Sequence, residues 1–127
     1  MKRSGRIKSK RPTADARRAE ESARLKVWAR ASQPLGIARC EACSNRPPTD
    51  WHHRKNRSQG GKWEASNGMA LCRPCHSWIT DHPQLAAMKG WTVKRSQVPG
   101  EVPCQRFGEF VILLDDGGFE PVEKGAA

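Results

Sequence analysis

Two Cys-x-x-Cys pairs, Cys40/Cys43 and Cys72/Cys75, constrain this chain more than anything else in it. Each short turn can present two thiolates to one ion, and four thiolates close a tetrahedral site with no open position, the signature of a structural zinc. A redox pair or an iron–sulfur cluster are the other uses of such cysteines. A simple zinc ribbon leaves roughly 15–20 residues between its pairs. Here the interval from Ser44 to Leu71 is longer and carries a histidine doublet, His52-His53, and an asparagine, Asn67, while His76 directly follows the last cysteine. The interval therefore has chemistry of its own.

The chain has 127 residues, and its cysteine-bounded part is below the roughly 70–80 residues at which a core dispenses with a staple. The sequence holds no apolar run long enough for a signal segment or membrane span. The expected compartment is therefore the cytoplasm, where reduced thiols favour metal over disulfide. Cys104 has no close partner and reads as a bystander. A net charge of +10, with basic residues clustered at the N-terminus and after His53, is the footprint of a nucleic-acid binder.

Residues 1–12 carry Lys2, Arg3, Arg6, Lys8, Lys10 and Arg11 among small polar residues and read as a disordered basic arm. Residues 13–34 form an N-terminal helix segment, capped by Thr13, with Leu25 and Trp28 spaced as on one helical face. Residues 35–95 form the core. Pro47-Pro48 lead into a strand over Asp50-Trp51-His52-His53, Gly60-Gly61 marks a turn, and Met69-Ala70-Leu71 is a second strand. Pro74 suits the first turn of a helix running through Trp78, and a shorter helix over Gln84 to Lys89 ends at Gly90. Residues 96–127 are a C-terminal extension with a hairpin, Phe110–Leu114 and Phe119–Val122, turning at Asp115-Asp116-Gly117-Gly118.

Neighbouring residues on a strand point to opposite faces, so His52 and His53 suit two different roles. One can join His76 on a second metal while the other faces substrate as a base. Taken together, Cys40-x-x-Cys43, His52-His53, Asn67 and Cys72-x-x-Cys75-His76 resemble the HNH endonuclease family, in particular its small phage-encoded members, over about Cys40 to Trp78.

That resemblance implies a small α+β fold, a zinc-stabilised ββα-metal core, and a metal-dependent endonuclease that hydrolyses DNA phosphodiester bonds, leaving a 5′ phosphate and a 3′ hydroxyl. It implies His53 as the general base, Asn67 as the support of its loop, and His52 with His76 as ligands of one catalytic divalent ion. Cys40, Cys43, Cys72 and Cys75 would hold the structural zinc. Arg54, Lys55 and Arg57 would grip DNA and disfavour protonation of His53. Two imidazoles suit Mn, Co, Ni or Zn better than Mg. The phage likeness implies a role in DNA packaging with a terminase partner.

Each residue also has a plainer reading. Asn67 can be a turn residue, with Asn56 nearer the doublet; His82 suits a surface turn; Trp51, Trp63 and Trp78 suit packing better than base stacking. Family members often carry Asp at the His52 position, an apolar residue at Gly68 and Lys at Ile79. The rival function is a noncatalytic zinc-ribbon regulator that binds DNA or RNA. An interaction protein using Trp78 to Trp91 leaves the histidines unexplained.

Overall fold

The computed structural model describes residues 11–122, so most of the expected basic arm lies outside the described residues. Helix α1, Ala14–Ala31, starts where Thr13 Oγ1 accepts the Ala16 N–H at 3.0 Å. Its inward face is Ala23, Val27, Arg30 and Ala31, at the i, i+4, i+7, i+8 spacing of one helical stripe. Leu25, expected on that face, is 73% exposed. Small side chains at the buried positions let α1 lie close to a sheet, and Val27 and Ala31 pack on Ala65 and Ala70.

The sheet under α1 is an antiparallel hairpin of β1, Asp50–His53, and β2, Gly68–Leu71. Trp51 lies opposite Ala70 and His52 opposite Met69, so alternate residues serve opposite faces. Trp51 and Ala70 face α1, whereas Met69 and Leu71 enter the main core. Helix α2, Arg73–Asp81, follows β2 at once, with Cys72 as N-cap and Pro74 in its first turn, where a missing N–H costs nothing. Together β1, β2 and α2 make the expected ββα unit.

Helix α3, Pro83–Met88, is followed by Gly90 at φ +72°. A Cβ there would meet the Pro103 carbonyl oxygen at 1.8 Å, so this turn admits glycine alone. The C-terminal part is a three-stranded antiparallel sheet rather than a lone hairpin: β3, Cys104–Arg106; β4, Glu109–Leu113; and β5, Phe119–Pro121, in the order β3-β4-β5. Cys104, Val111 and Leu113 share one core with Met69, Leu71, Ile79, Ala86 and Trp91, so this sheet backs the ββα unit. Burying each large aliphatic side chain of that core contributes roughly 1.5–3 kcal/mol.

Two arginine hubs stitch these pieces together. Arg30 grips Glu41 through Nε and Nη2, each at 2.8 Å, and also donates to the Ala65 and Gly68 carbonyls. Arg106 donates to the same carboxylate at 3.0 Å and to the Arg30 and Gln33 carbonyls. Burial alone would raise the Glu41 carboxyl, but Arg30 and Arg106, with the Ala70 N–H, hold it below the usual range. The second hub is Arg54, which donates to carbonyls of the loop and the C-terminal segment.

Candidate active site

The first knuckle and the N-terminus of α2 bring the Sγ atoms of Cys40, Cys43, Cys72 and Cys75 within 4.8 Å of one another. A tetrahedral ion with Zn–S bonds of about 2.3 Å requires S···S edges of about 3.8 Å. Cys43 Sγ and Cys72 Sγ stand 3.8 Å apart, so the cluster is already close to the size of a zinc cage. Backbone N–H groups of Cys43 and Asn45 point at Cys40 Sγ and Cys43 Sγ, each at 3.5 Å, as they do toward thiolates. Burial pushes the Cys40 and Cys75 thiols up, a cost that a divalent cation among the four sulfurs reverses. The four cysteines are placed to hold a structural metal ion such as zinc.

The histidine doublet divides as strand geometry requires. His52 turns inward beneath α2, where its ring meets that of His76 edge-on, centroids 5.2 Å apart. His52 Nε2 lies 2.6 Å from the Trp91 carbonyl oxygen, so it carries the ring proton and donates it there. His76 Nδ1 lies 2.9 Å from Asp50 Oδ2 and is tied in the same way. Each ring thus has one nitrogen committed to an oxygen acceptor, leaving Nδ1 of His52 and Nε2 of His76 with lone pairs. That is the arrangement by which outer partners fix the tautomer of metal-binding imidazoles. Burial holds the His52 ring at a pKa of about 4, so it is neutral at physiological pH.

Asp50 was not singled out from the sequence. The signal was present in period-2 alternation, which puts Asp50 on the same strand face as His52, toward the following helix. Its carboxyl lies below the usual range: burial would raise it, but hydrogen bonds from His76, Thr49 and Arg73 outweigh that. The Trp91 carbonyl, a backbone group distant in sequence, carried no signal at all.

His53 occupies the opposite face. Trp51 Nε1–H donates to His53 Nδ1 at 2.8 Å, and the rings of Trp51 and Trp63 stand at centroid distances of 5.6 and 4.6 Å. The neutral ring then carries its proton on Nε2, which is the one buried side-chain polar atom without a partner among the described residues. Burial and the charges of Arg57 and Arg24 hold the imidazole below its usual pKa. The Trp51 ring closes over Gly68: a Cβ there would come within 2.1 Å of it, so this packing requires glycine at that position.

Asn67 is 1% exposed and clamps the loop that follows β1. Its Oδ1 accepts the Lys55 N–H at 2.7 Å, and its Nδ2 donates to the Lys55 and Lys62 carbonyls. Asn56 instead caps the 3₁₀ turn Arg57–Gln59.

Arg54 departs from expectation. It is 2% exposed, and its guanidinium donates to the carbonyls of Gly90, Ser66, Pro99 and Val102. An arginine so enclosed cannot reach DNA; its role is to hold the loop and the C-terminal segment in register. Arg57 is exposed, and Lys55 is half-buried with Nζ 3.0 Å from the Arg95 carbonyl oxygen. His82 stacks on Trp78 at 4.5 Å.

Residues 40–82 match the family model described as HNH endonuclease. No curated protein and no solved structure gives a significant match.

Proposed function

We propose that this protein is a metal-dependent HNH endonuclease that hydrolyses DNA phosphodiester bonds. The observation that carries the reading is the matched anchoring of His52 and His76: one is tied to a backbone carbonyl, the other to a half-buried carboxylate, and each keeps one nitrogen uncommitted. A structural cysteine cluster alone gives no reason for that pairing. Nδ1 of His52 and Nε2 of His76 would hold one divalent ion, and two imidazole ligands favour Mn, Co, Ni or Zn over Mg. When bound, such an ion supplies Lewis-acid stabilisation of charge on phosphate oxygens.

His53 is the proposed base, supported by Asn67. The nitrogen it needs is the one that Trp51 covers, so substrate engagement has to break the Trp51–His53 hydrogen bond before His53 Nδ1 accepts a proton from the attacking water. Arg57 and Arg24 favour the unprotonated ring that this requires. Lys55 and Arg57 remain as DNA contacts from the basic loop. The cytoplasm is the proposed compartment; among the described residues no helix is long and apolar enough to cross a membrane. A role in phage packaging beside a terminase rests on family resemblance alone.

The test is nicking of supercoiled plasmid by the wild type, His53→Ala and His76→Ala at matched zinc content, with Mg, Mn, Ni and a chelator control. Metal-dependent nicking lost in both variants supports the reading. No nicking under any ion by folded wild-type protein that still binds DNA favours the zinc-ribbon regulator.

A further inference from the structure

A cleft of about 650 Å³ opens beside His52 and His53, and part of its wall comes from residues beyond the segment that matches the HNH family. One side is the 3₁₀ turn, with Asn56 and Gln59; the other is the stretch after Trp91, with Thr92, Lys94 and Gln97. Met88 and Ala87, exposed on α3, form an apolar part of the lining. Among the described residues no carboxylate lines the cleft. Besides the two imidazoles and the Arg54 side chain, whose guanidinium is committed to backbone carbonyls, its polar groups are the Lys94 ammonium, amides and hydroxyls, which include donors suited to phosphate oxygens.

The Lys94 wall is fixed to the site. Trp91 gives its carbonyl to His52, the Val93 N–H donates to the Arg54 carbonyl at 2.9 Å, and Lys55 Nζ holds the Arg95 carbonyl. Within the wall, the Lys94 N–H donates to Gln97 Oε1 and the Gln97 N–H returns to the Lys94 carbonyl, both at 2.9 Å. The Lys94 ammonium makes no hydrogen bond or ion pair among the described residues, and its side chain is exposed at the cleft. The volume is that of a pocket for a small molecule, roughly 300–1,000 Å³.

We propose that this cleft seats one strand of the DNA substrate next to the bond to be cut, with a phosphate on Lys94 and the adjoining sugar against Ala87 and Met88. This rests on the nuclease reading for its purpose but not for its detection. A strand held between the 3₁₀ turn and Lys94 lies beside both histidines, so Lys94 is a substrate-positioning residue contributed from outside the HNH segment.

The experiment compares wild type, Lys94→Ala, Lys94→Glu and Arg46→Ala, all zinc-loaded full-length protein. Among the described residues Arg46 is exposed with no side-chain partner and lies outside the cleft lining, so its variant matches the charge lost in Lys94→Ala. Binding of a fluorescent DNA duplex is followed by anisotropy across a salt series with a mild chelator of the catalytic ion, and KM and kcat are measured separately by nicking. Lys94→Ala should weaken binding, reduce the slope of log K against log salt by about 0.9, and raise KM more than it lowers kcat. Lys94→Glu should do more, and Arg46→Ala should leave slope and KM as in the wild type. If Lys94→Ala matches the wild type, or if Arg46→Ala loses as much as Lys94→Ala, the cleft assignment is overturned. If the slope changes as expected but the wild type cuts nothing, the cleft stands and the nuclease reading fails.

Discussion

The sulfur cluster and the histidine face share one hairpin and one helix, yet they are assembled differently. Cys72, Cys75 and His76 fall on a single run of chain, and the cysteine pairs need only two tight turns brought together. The histidine face depends on partners far away: His52 is tied to a carbonyl 39 residues on, and His76 to a carboxylate 26 residues back. The two cysteine pairs themselves lie 29 residues apart, but each tight turn sets its own two sulfurs, so the cluster needs only those turns to meet and survives small changes elsewhere in the fold. A site held by remote backbone atoms follows whatever shifts those atoms.

The largest effect that separates the two is loss of a sulfur ligand. Cys72→Ser should abolish stoichiometric zinc and with it the cooperative thermal transition, since structural zinc sites in small domains contribute folding energy outright. His76→Ala, four residues further along, should keep both the zinc and the transition. Zinc content and a melting curve on each variant check this, and a Cys72→Ser protein that melts like the wild type would remove the zinc-stabilised core from the account.

Next in size is the Glu41 hub. Removing one partner from a buried charge pair costs about 3–5 kcal/mol, so Glu41→Gln should lower stability by that order while leaving zinc content unchanged at neutral pH. The folded carboxyl lies below its usual range, so its contribution is fully present above the unfolded pKa, near 4.3, and is lost as pH falls through the lower folded value. The gap between wild type and Glu41→Gln should therefore narrow as the solution is acidified. Denaturant melts at several pH values measure it, and a gap that widens toward acid contradicts the assignment.

Asn67→Ala ranks third. It leaves the Lys55 N–H and two carbonyls without their partner, a loss of about 1–3 kcal/mol. Hydrogen exchange should show the Lys55 amide opening ahead of the β1–β2 ladder. Protection at Lys55 equal to that of the wild type would mean the clamp is not what orders the loop.

These cases also show what the sequence could tell. The ββα unit was legible because spacing and turn residues are local: Pro74 starts α2, and alternation along β1 parts His52 from His53. The separation of the doublet followed from geometry that any strand obeys. Arg54 was not legible, because a basic residue after the doublet looks the same in sequence whether it reaches DNA or is folded over four carbonyls. Leu25 misled for a related reason: an apolar residue at helical spacing marks a face, but Arg30, fully paired with Glu41, takes the buried side instead. β3 was missed because three residues with one buried cysteine carry almost no pattern. The hydrogen bond from Trp51 to His53 needed both side-chain conformations and could not be read from their spacing alone.

The smallest effect tests the histidine face itself, through Asp50. Replacing an outer carboxylate on a metal-binding histidine typically lowers metal affinity 10–100-fold, so Asp50→Ala should weaken Mn or Ni binding at His52 and His76 by about that factor. The fold should stand, because the ion pair that Asp50 also makes with Arg73 involves an arginine 76% exposed and adds little. Asp50→Asn separates two causes. The amide oxygen can still accept the His76 Nδ1–H and keep the ring oriented, but it lacks the charge that makes the other nitrogen a stronger ligand. Affinity midway between wild type and Asp50→Ala means that charge and orientation both count, whereas affinity equal to the wild type assigns the effect to orientation alone. Titration calorimetry of the zinc-loaded protein reads these values directly. If Asp50→Ala binds the ion as tightly as the wild type, Asp50 holds the helix rather than the ligand, and the contrast between a local sulfur site and a remotely braced histidine site loses one of its two braces.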